Sequence, residues 1–344
     1  MEIDGTCRSA RVHPHVTHAD DWILTMTDTV VSTKDPSATA RPSRVTLWDG
    51  KTSAGPTTFQ NAERDRLEGL QWQHFEAKQL GCTVGAELSG VDLTVDLPDA
   101  VITEIRQALY DYKVIFFRDQ PLTSERHVAF ARRFGELEVH PFIPSNTGEP
   151  HLVRFQKTAE VAGFENTWHH DVTWRLAPSM GAILHAIKVP KRGGDTLFAD
   201  MYSAYEGLPP SVRERLENLN AIHDYERSFG RVIPADVKAA MREKYPVAKH
   251  PVVCTHDGTG RKHLYVNRIF TIGIEGFDDE EFRELLELLA RQSEYPEHQC
   301  RFEWSDHSVA FWDNRAVQHY AASDYYPHLR TMERASIKGT APHR

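Results

Sequence analysis

Many short apolar runs separated by turn signals, a few amphipathic helical segments and no internal repeat together predict a mainly β chain with peripheral helices. This is an α+β domain built on a double-stranded β-helix, or jelly roll. In chain order, residues 75–80 followed by Gly81 read as a first strand and its turn, and 85–93 as a second strand. Residues 98–112 place Val101, Ile102, Ile105, Leu109 and Tyr110 at helical spacing. Val114-Ile115-Phe116-Phe117 is a continuous apolar run, suited to a fully buried strand. Thr123 or Ser124 can cap a helix over 125–134 that Gly135 ends. Residues 136–167, with Pro141, Pro144 and Pro150, read as loop. A core strand follows at 180–189, and Gly193-Gly194-Asp195-Thr196 is a tight turn into another. Residues 203–208 and 210–218 look helical, and the polar, irregular stretch 225–249 is a candidate lid. Segments 250–255 and 263–266 flank Asp257-Gly258-Thr259-Gly260, a hairpin signal. Residues 278–292 carry Phe282, Leu285, Leu286, Leu288 and Leu289 on one helical face, and short strands at 300–304, 308–312 and 334–338 close the domain.

The domain is therefore expected to span residues 71–344. Residues 1–70 differ in kind. Within them, 31–56 are rich in Ser, Thr, Pro, Ala and Gly and have little periodicity, so they cannot bury enough apolar surface to offset the entropy of ordering. Disorder is expected there, with order beginning near Trp72. Met26 reads as a natural start, which makes residues 1–25 an over-extended gene reading. With 40% apolar residues among 344 the chain can bury a large core. A net charge of −9 gives no global basic field for nucleic acid, and no run of about 18 apolar residues predicts a membrane span. Cys7, Cys82, Cys254 and Cys300 are scattered without a C-x-x-C and read as reduced thiols of a cytoplasmic protein, expected to form a homo-oligomer.

The chemistry centres on Trp168-His169-His170-Asp171. In extended backbone, residues i and i+2 point to the same side, so the imidazole of His169 and the carboxylate of Asp171 can reach one small cation. A second imidazole far along the chain would complete the facial 2-His-1-carboxylate set of non-haem Fe(II) oxygenases. His319, in Trp312-Asp313-Asn314-Arg315-Ala316-Val317-Gln318-His319-Tyr320, is the best candidate. Arg330 follows eleven residues later and Arg334 four residues after that. On a helix or on a strand these two can share a face, so both can point into one cavity.

Taken together, Trp168–Thr173, Gly193–Thr196, His223–Phe229, Val266–Phe270 and Trp312–Tyr320 occur in an order that resembles the taurine dioxygenase family of Fe(II)- and 2-oxoglutarate-dependent oxygenases, over about 270 residues from Phe75 to Ala341. The resemblance implies that His169, Asp171 and His319 bind Fe(II), that Thr196 and Arg330 hold the distal carboxylate of 2-oxoglutarate, and that O2 is the second co-substrate. A planar guanidinium fork and a neutral hydroxyl suit such a carboxylate. Halogenases of this superfamily have a small residue where Asp171 stands, so the carboxylate here implies hydroxylation. The resemblance also places His140 and Arg334 on the anionic group of the substrate, with Tyr225, a Tyr in place of the family's Phe, and Phe270 lining the pocket. Ile143 and Glu165 stand where the taurine enzyme has a tyrosine and an asparagine, which changes the amine end.

The implied reaction is hydroxylation of a small anionic substrate, taurine or a related alkyl sulfonate, releasing sulfite and an aldehyde. An aryloxyalkanoate or alkyl-sulfate dioxygenase is the second reading within the class, and a non-catalytic metal-binding jelly roll is the reading from outside it. His170 is expected to point away from the metal, as a residue behind the ligands or an exposed one. His185 and His250, in apolar surroundings, read as structural.

Overall fold

The computed structural model describes residues 57–344 apart from 144, 146–147, 162–164 and 231–232. All of these belong to the compact unit Val45–Arg344; the other unit, Met1–Arg44, lies outside the described residues, as do the expectations for residues 1–56. The first elements are α1 (Asn61–Glu68), β1 (Glu76–Gln79), β2 (Ala86–Ser89), α2 (Asp99–Tyr112), β3 (Val114–Phe117) and α3 (Ser124–Arg132). There follow β4 (Leu152–Lys157), β5 (Gly181–Lys188), β6 (Thr196–Asp200), α4 (Met201–Glu206), α5 (Pro210–Leu216) and β7 (Asn220–His223). The segment expected as a lid holds α6 (Glu226–Phe229) and α7 (Lys238–Lys244), after which come β8 (Ala248–Pro251), β9 (Val253–Thr255), β10 (Lys262–Leu264) and β11 (Thr271–Ile274). The chain closes with α8 (Asp279–Arg291), β12 (Gln299–Phe302), β13 (Val309–Asp313), β14 (Val317–Ala321) and β15 (Arg330–Ile337).

Two sheets make the expected double layer. The larger runs β1-β2-β3-β13-β5-β15-β4, antiparallel except at β2–β3, and the smaller runs β12-β6-β14. Between them lie Phe116, Phe198, Phe302, Trp312 and Met332; on the outer face of the larger sheet, α2 and α3 cover Ile115, Phe117, Ile183, Phe311, Ala335 and Ile337. Central strands are therefore apolar on both faces, which is why β3 and β13 read as continuous hydrophobic runs and not as alternating ones. Thr123 caps α3 through Arg126 N, and Asp278 with Glu281 forms a capping box on α8.

The chain departs from the sequence expectation at its start. Order begins before Trp72: α1 buries Leu67, and its Glu63 accepts from Lys113 Nζ (2.9 Å) and Arg261 Nη1 (2.7 Å). Lys113 is fully buried at the left-handed end of α2 (φ 65°) and donates also to the Thr83 carbonyl. With one buried leucine the helix shows no apolar periodicity, and its ion partners are far away in sequence, so no local pattern announces it. Residues 136–167 are likewise not all loop, since β4 forms the edge of the larger sheet beside β15.

Candidate active site

His169 sits between the sheets on extended backbone. Its N–H donates to the His319 carbonyl (3.1 Å) and its carbonyl accepts from His319 N (2.9 Å), so this single β-bridge docks the loop onto β14. The two rings stand 4.3 Å apart, and the candidate ligand atoms of His169, Asp171 and His319 all lie within 4.8 Å of one another. His169 Nδ1 donates to the Thr167 carbonyl at 2.8 Å, which fixes the tautomer and leaves Nε2 with its lone pair. Asn314, fully buried, clamps the next turn: it accepts from Asp171 N (2.7 Å) and donates to the Asp171 and Ser179 carbonyls (3.0 and 3.1 Å). Val172 then adopts φ 48°, a strained conformation for a β-branched residue that persists because the clamp and the Arg175–Val172 turn over-determine it.

Electrostatics prepare the three groups for a cation. Burial alone would raise the Asp171 carboxyl, but the Arg334 guanidinium, with the nearby imidazoles, holds it well below the usual carboxylate range; Arg334 Nη1 donates to both oxygens, at 3.1 and 3.0 Å. Burial and the neighbouring His169 push His319 down to about 3, so its ring is neutral and able to coordinate. The neutral His319 ring, the His169 Nε2 lone pair left by its Nδ1 hydrogen bond and an ionised carboxylate are the donor set of a facial Fe(II) site.

A second binding feature lies next to them. Arg330, nearly buried at the head of β15, has Nε and Nη2 without a hydrogen-bond partner among the described residues. An unpaired buried guanidinium calls for an anion. Gly194 (φ 76°) keeps the space beside it open, because a Cβ there would come within 3.3 Å of Arg330 Cδ and Nε. Two residues on, the buried Thr196 accepts from Trp304 Nε1 (3.0 Å), which leaves its own hydroxyl proton to donate. The fork, the hydroxyl and the glycine turn together fit the carboxylate of a chelating acid beside the metal position.

The other candidates fall unequally around this centre. His140 Nδ1 accepts from Phe142 N (3.2 Å) and Ile143 N (3.0 Å), which places its proton on Nε2; burial and then the charges of Arg334 and Arg175 lower it to about 3. Phe270 lies 6.4 Å from the His169 ring. Tyr225 stands farther out, packed on Phe142 (5.1 Å) and Trp174 (5.8 Å) with Arg242 over its face at 4.7 Å. Glu165 pairs with Lys157 at 2.7 Å, and its charge is felt at Arg330 and Tyr325, so it belongs to the Arg330 end of the site. His170 is fully buried behind the ligands, 4.7 Å from the Tyr265 ring. His250 donates to the Thr173 and Arg175 carbonyls and is structural, as expected. Sequence reading missed Phe155 beneath Arg334 (5.0 Å), Phe229 between His140 (5.9 Å) and Phe270 (6.4 Å), and the Arg175–Glu138 pair (2.6 Å). Phe229 and Asn314 do lie in stretches that carry the family resemblance; Phe155 gave no signal at all.

Comparison with known proteins agrees with this geometry. The sequence model of the taurine catabolism dioxygenase TauD, TfdA family matches residues 76–336. The chain is 33% identical to an alkylsulfatase of Acinetobacter baylyi over 78% of its own length and 86% of that protein's. It is 34% identical to an alpha-ketoglutarate-dependent sulfate ester dioxygenase of Pseudomonas putida, over 75% and 88%. The crystal structure of a taurine dioxygenase from Burkholderia xenovorans superposes with a TM-score of 0.69 at 35% identity, covering 78% of this chain and 91% of that one.

Proposed function

The chain belongs to the taurine catabolism dioxygenase TauD, TfdA family, and from that premise we propose that it hydroxylates the carbon bearing the sulfur oxyanion of an apolar-tailed alkyl sulfate or alkyl sulfonate. It is a 2-oxoglutarate-dependent dioxygenase that uses Fe(II) and O2. In this reading His169, Asp171 and His319 hold the metal, and Thr196 with Arg330 holds 2-oxoglutarate. The bound metal and co-substrates supply the oxidation: 2-oxoglutarate gives succinate and CO2 while a substrate C–H becomes C–OH. A carbon carrying both hydroxyl and sulfate ester then loses the hydroxyl proton and collapses to an aldehyde, releasing sulfate; a sulfonate would release sulfite.

The observation that carries the substrate class is the charge of the buried centre. A dication, Arg330 and Arg334 against Asp171 leave an excess of three positive charges, because Lys157–Glu165 and Arg175–Glu138 neutralise themselves. Dianionic 2-oxoglutarate removes two, and a monoanionic substrate removes the last; an uncompensated buried charge is costly. Arg334, whose Nε has no hydrogen-bond partner among the described residues, and the Nε2–H of His140 are the donors for that anion. Phe142, Phe229 and Phe270 pack together beside His169, and Glu165 is engaged by Lys157, so the site favours an apolar tail over the ammonium of taurine.

The test is succinate formation with Fe(II) and 2-oxoglutarate across a series of a medium-chain alkyl sulfate, the matching sulfonate, taurine and an aryloxy acid. Sulfate or sulfite release from the alkyl substrates, lost in Asp171→Ala, is the expected result. Faster turnover of taurine would overturn the tail preference, and phenol release would move the enzyme to the aryloxyalkanoate class. The free thiols of Cys82, Cys254 and Cys300 fit the reducing cytoplasm in which we place it, and no helix among the described residues is long and apolar enough to cross a membrane.

A further inference from the structure

A second group of metal-competent side chains stands on the opposite face of the larger sheet. Glu333 of β15 is in register with His185 of β5 and points away from the site to which its neighbour Arg334 contributes. Helix α3 lies over them and brings His127 and Ser124. His127, His185 and Glu333 are all buried, and a ligand atom from each lies within 4.8 Å of the others.

The hydrogen bonds of this cluster are incomplete in a specific way. His127 Nε2 donates to the Ile183 carbonyl (3.1 Å), so the proton is on Nε2 and the lone pair is on Nδ1, which is buried and meets no donor among the described residues. His185 is 2% exposed; burial lowers its proton affinity, the Glu333 carboxylate and then the Gln120 backbone raise it, and no atom of the described residues completes a hydrogen bond to either ring nitrogen within ordinary geometry. Burial lowers His127 to about 3 and His185 to about 4, so both rings are neutral at physiological pH. Glu333 Oε1 takes the bonds from Arg154, whereas Oε2 has only Ser124 Oγ, at 3.1 Å. Two imidazole lone pairs that meet no donor among the described residues stand beside a carboxylate whose charged partner there, Arg154, engages Oε1 alone. They are the right complement for a cation. Imidazoles select a borderline transition metal over Mg(II) or Ca(II), and two histidines with one glutamate are a known zinc donor set.

We propose that His127, His185 and Glu333 form a second metal site, for a Zn(II)-class divalent ion, which pins α3 to the larger sheet directly behind Arg334. Zn(II) ligand bonds of about 2.0–2.2 Å require the three donors to close in slightly. The fourth position falls to Ser124 or to a water. Arg154, about one-third exposed, is the resident counter-charge and turns toward solvent when the ion enters. The site is independent of the Fe(II) reading, because it shares no residue with it.

The experiment uses the full chain carrying Asp171→Ala and His319→Ala, freed of metal by a chelator and titrated with Co(II), then with Zn(II). We expect one saturable Co(II) equivalent with a visible d–d band, displaced by Zn(II), and a rise in Tm on Zn(II) addition. Adding His185→Gln removes the band and the Tm shift. Adding Arg154→Ala instead tightens Co(II) at least tenfold, which keeps the test decisive even where the histidine variant folds poorly. The proposal is overturned if Co(II) does not bind, if binding survives His185→Gln in a folded protein, or if Arg154→Ala leaves affinity unchanged. None of these outcomes bears on 2-oxoglutarate turnover by the unaltered enzyme, so the two readings stand or fall separately.

Discussion

Arg330 shows how much one side chain contributes when its surroundings are built to leave it unsatisfied. Burial lowers its affinity for its own proton, and two of its nitrogens have no hydrogen-bond partner among the described residues. Hydrogen bonds to a charged group are worth about 1.5–3 kcal/mol each. Arg330→Ala is therefore expected to weaken 2-oxoglutarate binding by roughly 10- to 100-fold, a tenfold change being about 1.4 kcal/mol. Fe(II) binding should be untouched, and an anaerobic titration of the visible absorption separates the two. Equal loss of both would show that Arg330 supports the metal centre instead. At this scale the grouping of His169 with Asp171, the proposed metal ligands, was legible, because they are two apart and that spacing has a meaning in any extended segment. Asn314 was not assigned a role, since an amide that clamps a distant peptide has no local signature. Tyr225 shows the converse: it occupies the family's position, yet its ring packs among Phe142, Trp174 and Arg242, away from the ligands.

At the scale of elements, α1 and β15 contrast. β15 was read only in part, as a strand over 334–338, because the spacing of Arg330 and Arg334 suits a helix as well as a strand, whereas α1 is held by charge. Glu63 is kept well below the usual carboxylate range, against the cost of its burial, by Arg66, Lys113 and Arg261. Removing one partner of a buried pair costs about 3–5 kcal/mol, because the other charge is left behind. Glu63→Gln should cost about 3 kcal/mol, near the low end, since Asp200 still stands 3.6 Å from Lys113 Nζ. Lys113→Met also leaves the buried Asp200 without that cation, so the double variant should lose less than the sum of the two single losses. Urea unfolding of the unaltered protein, the two single variants and the double variant checks it, and additive losses would refute the pairing. The continuous apolar runs of β3, β5 and β13 were readable because both of their faces are covered; β4 was not, because it lies at a sheet edge and carries Arg154 and Lys157.

The whole molecule is marked by an interior rich in neutral histidine. His127, His140 and His263 are lowered to about 3 and His185 to about 4, burial being the first cause in each. Each folded-state value lies below the unfolded one, so the unfolded chain takes up the proton first. The stability tied to these groups is complete above about pH 6.5 and is lost as pH falls toward 3–4, at up to about 1.4 kcal/mol per pH unit for each. The urea midpoint should therefore drop clearly between about pH 7 and pH 5; a flat midpoint over that interval would mean that the rings are protonated in the fold. The jelly roll itself was foreseeable from strand count and spacing, but the packing of so many imidazoles beneath it was not, because burial of a histidine is decided by elements far apart in sequence. One further consequence follows from β15, which turns Arg334 toward Asp171 and Glu333 toward α3. Side-chain direction alternates residue by residue, so inserting or deleting a single residue within this strand would exchange the two faces, setting a carboxylate against Asp171 and a guanidinium beneath the helix. Over evolutionary time β15 can accept substitutions between Arg330 and Arg334 but no change in the count of residues that separates Glu333 and Arg334 from their partners on β5.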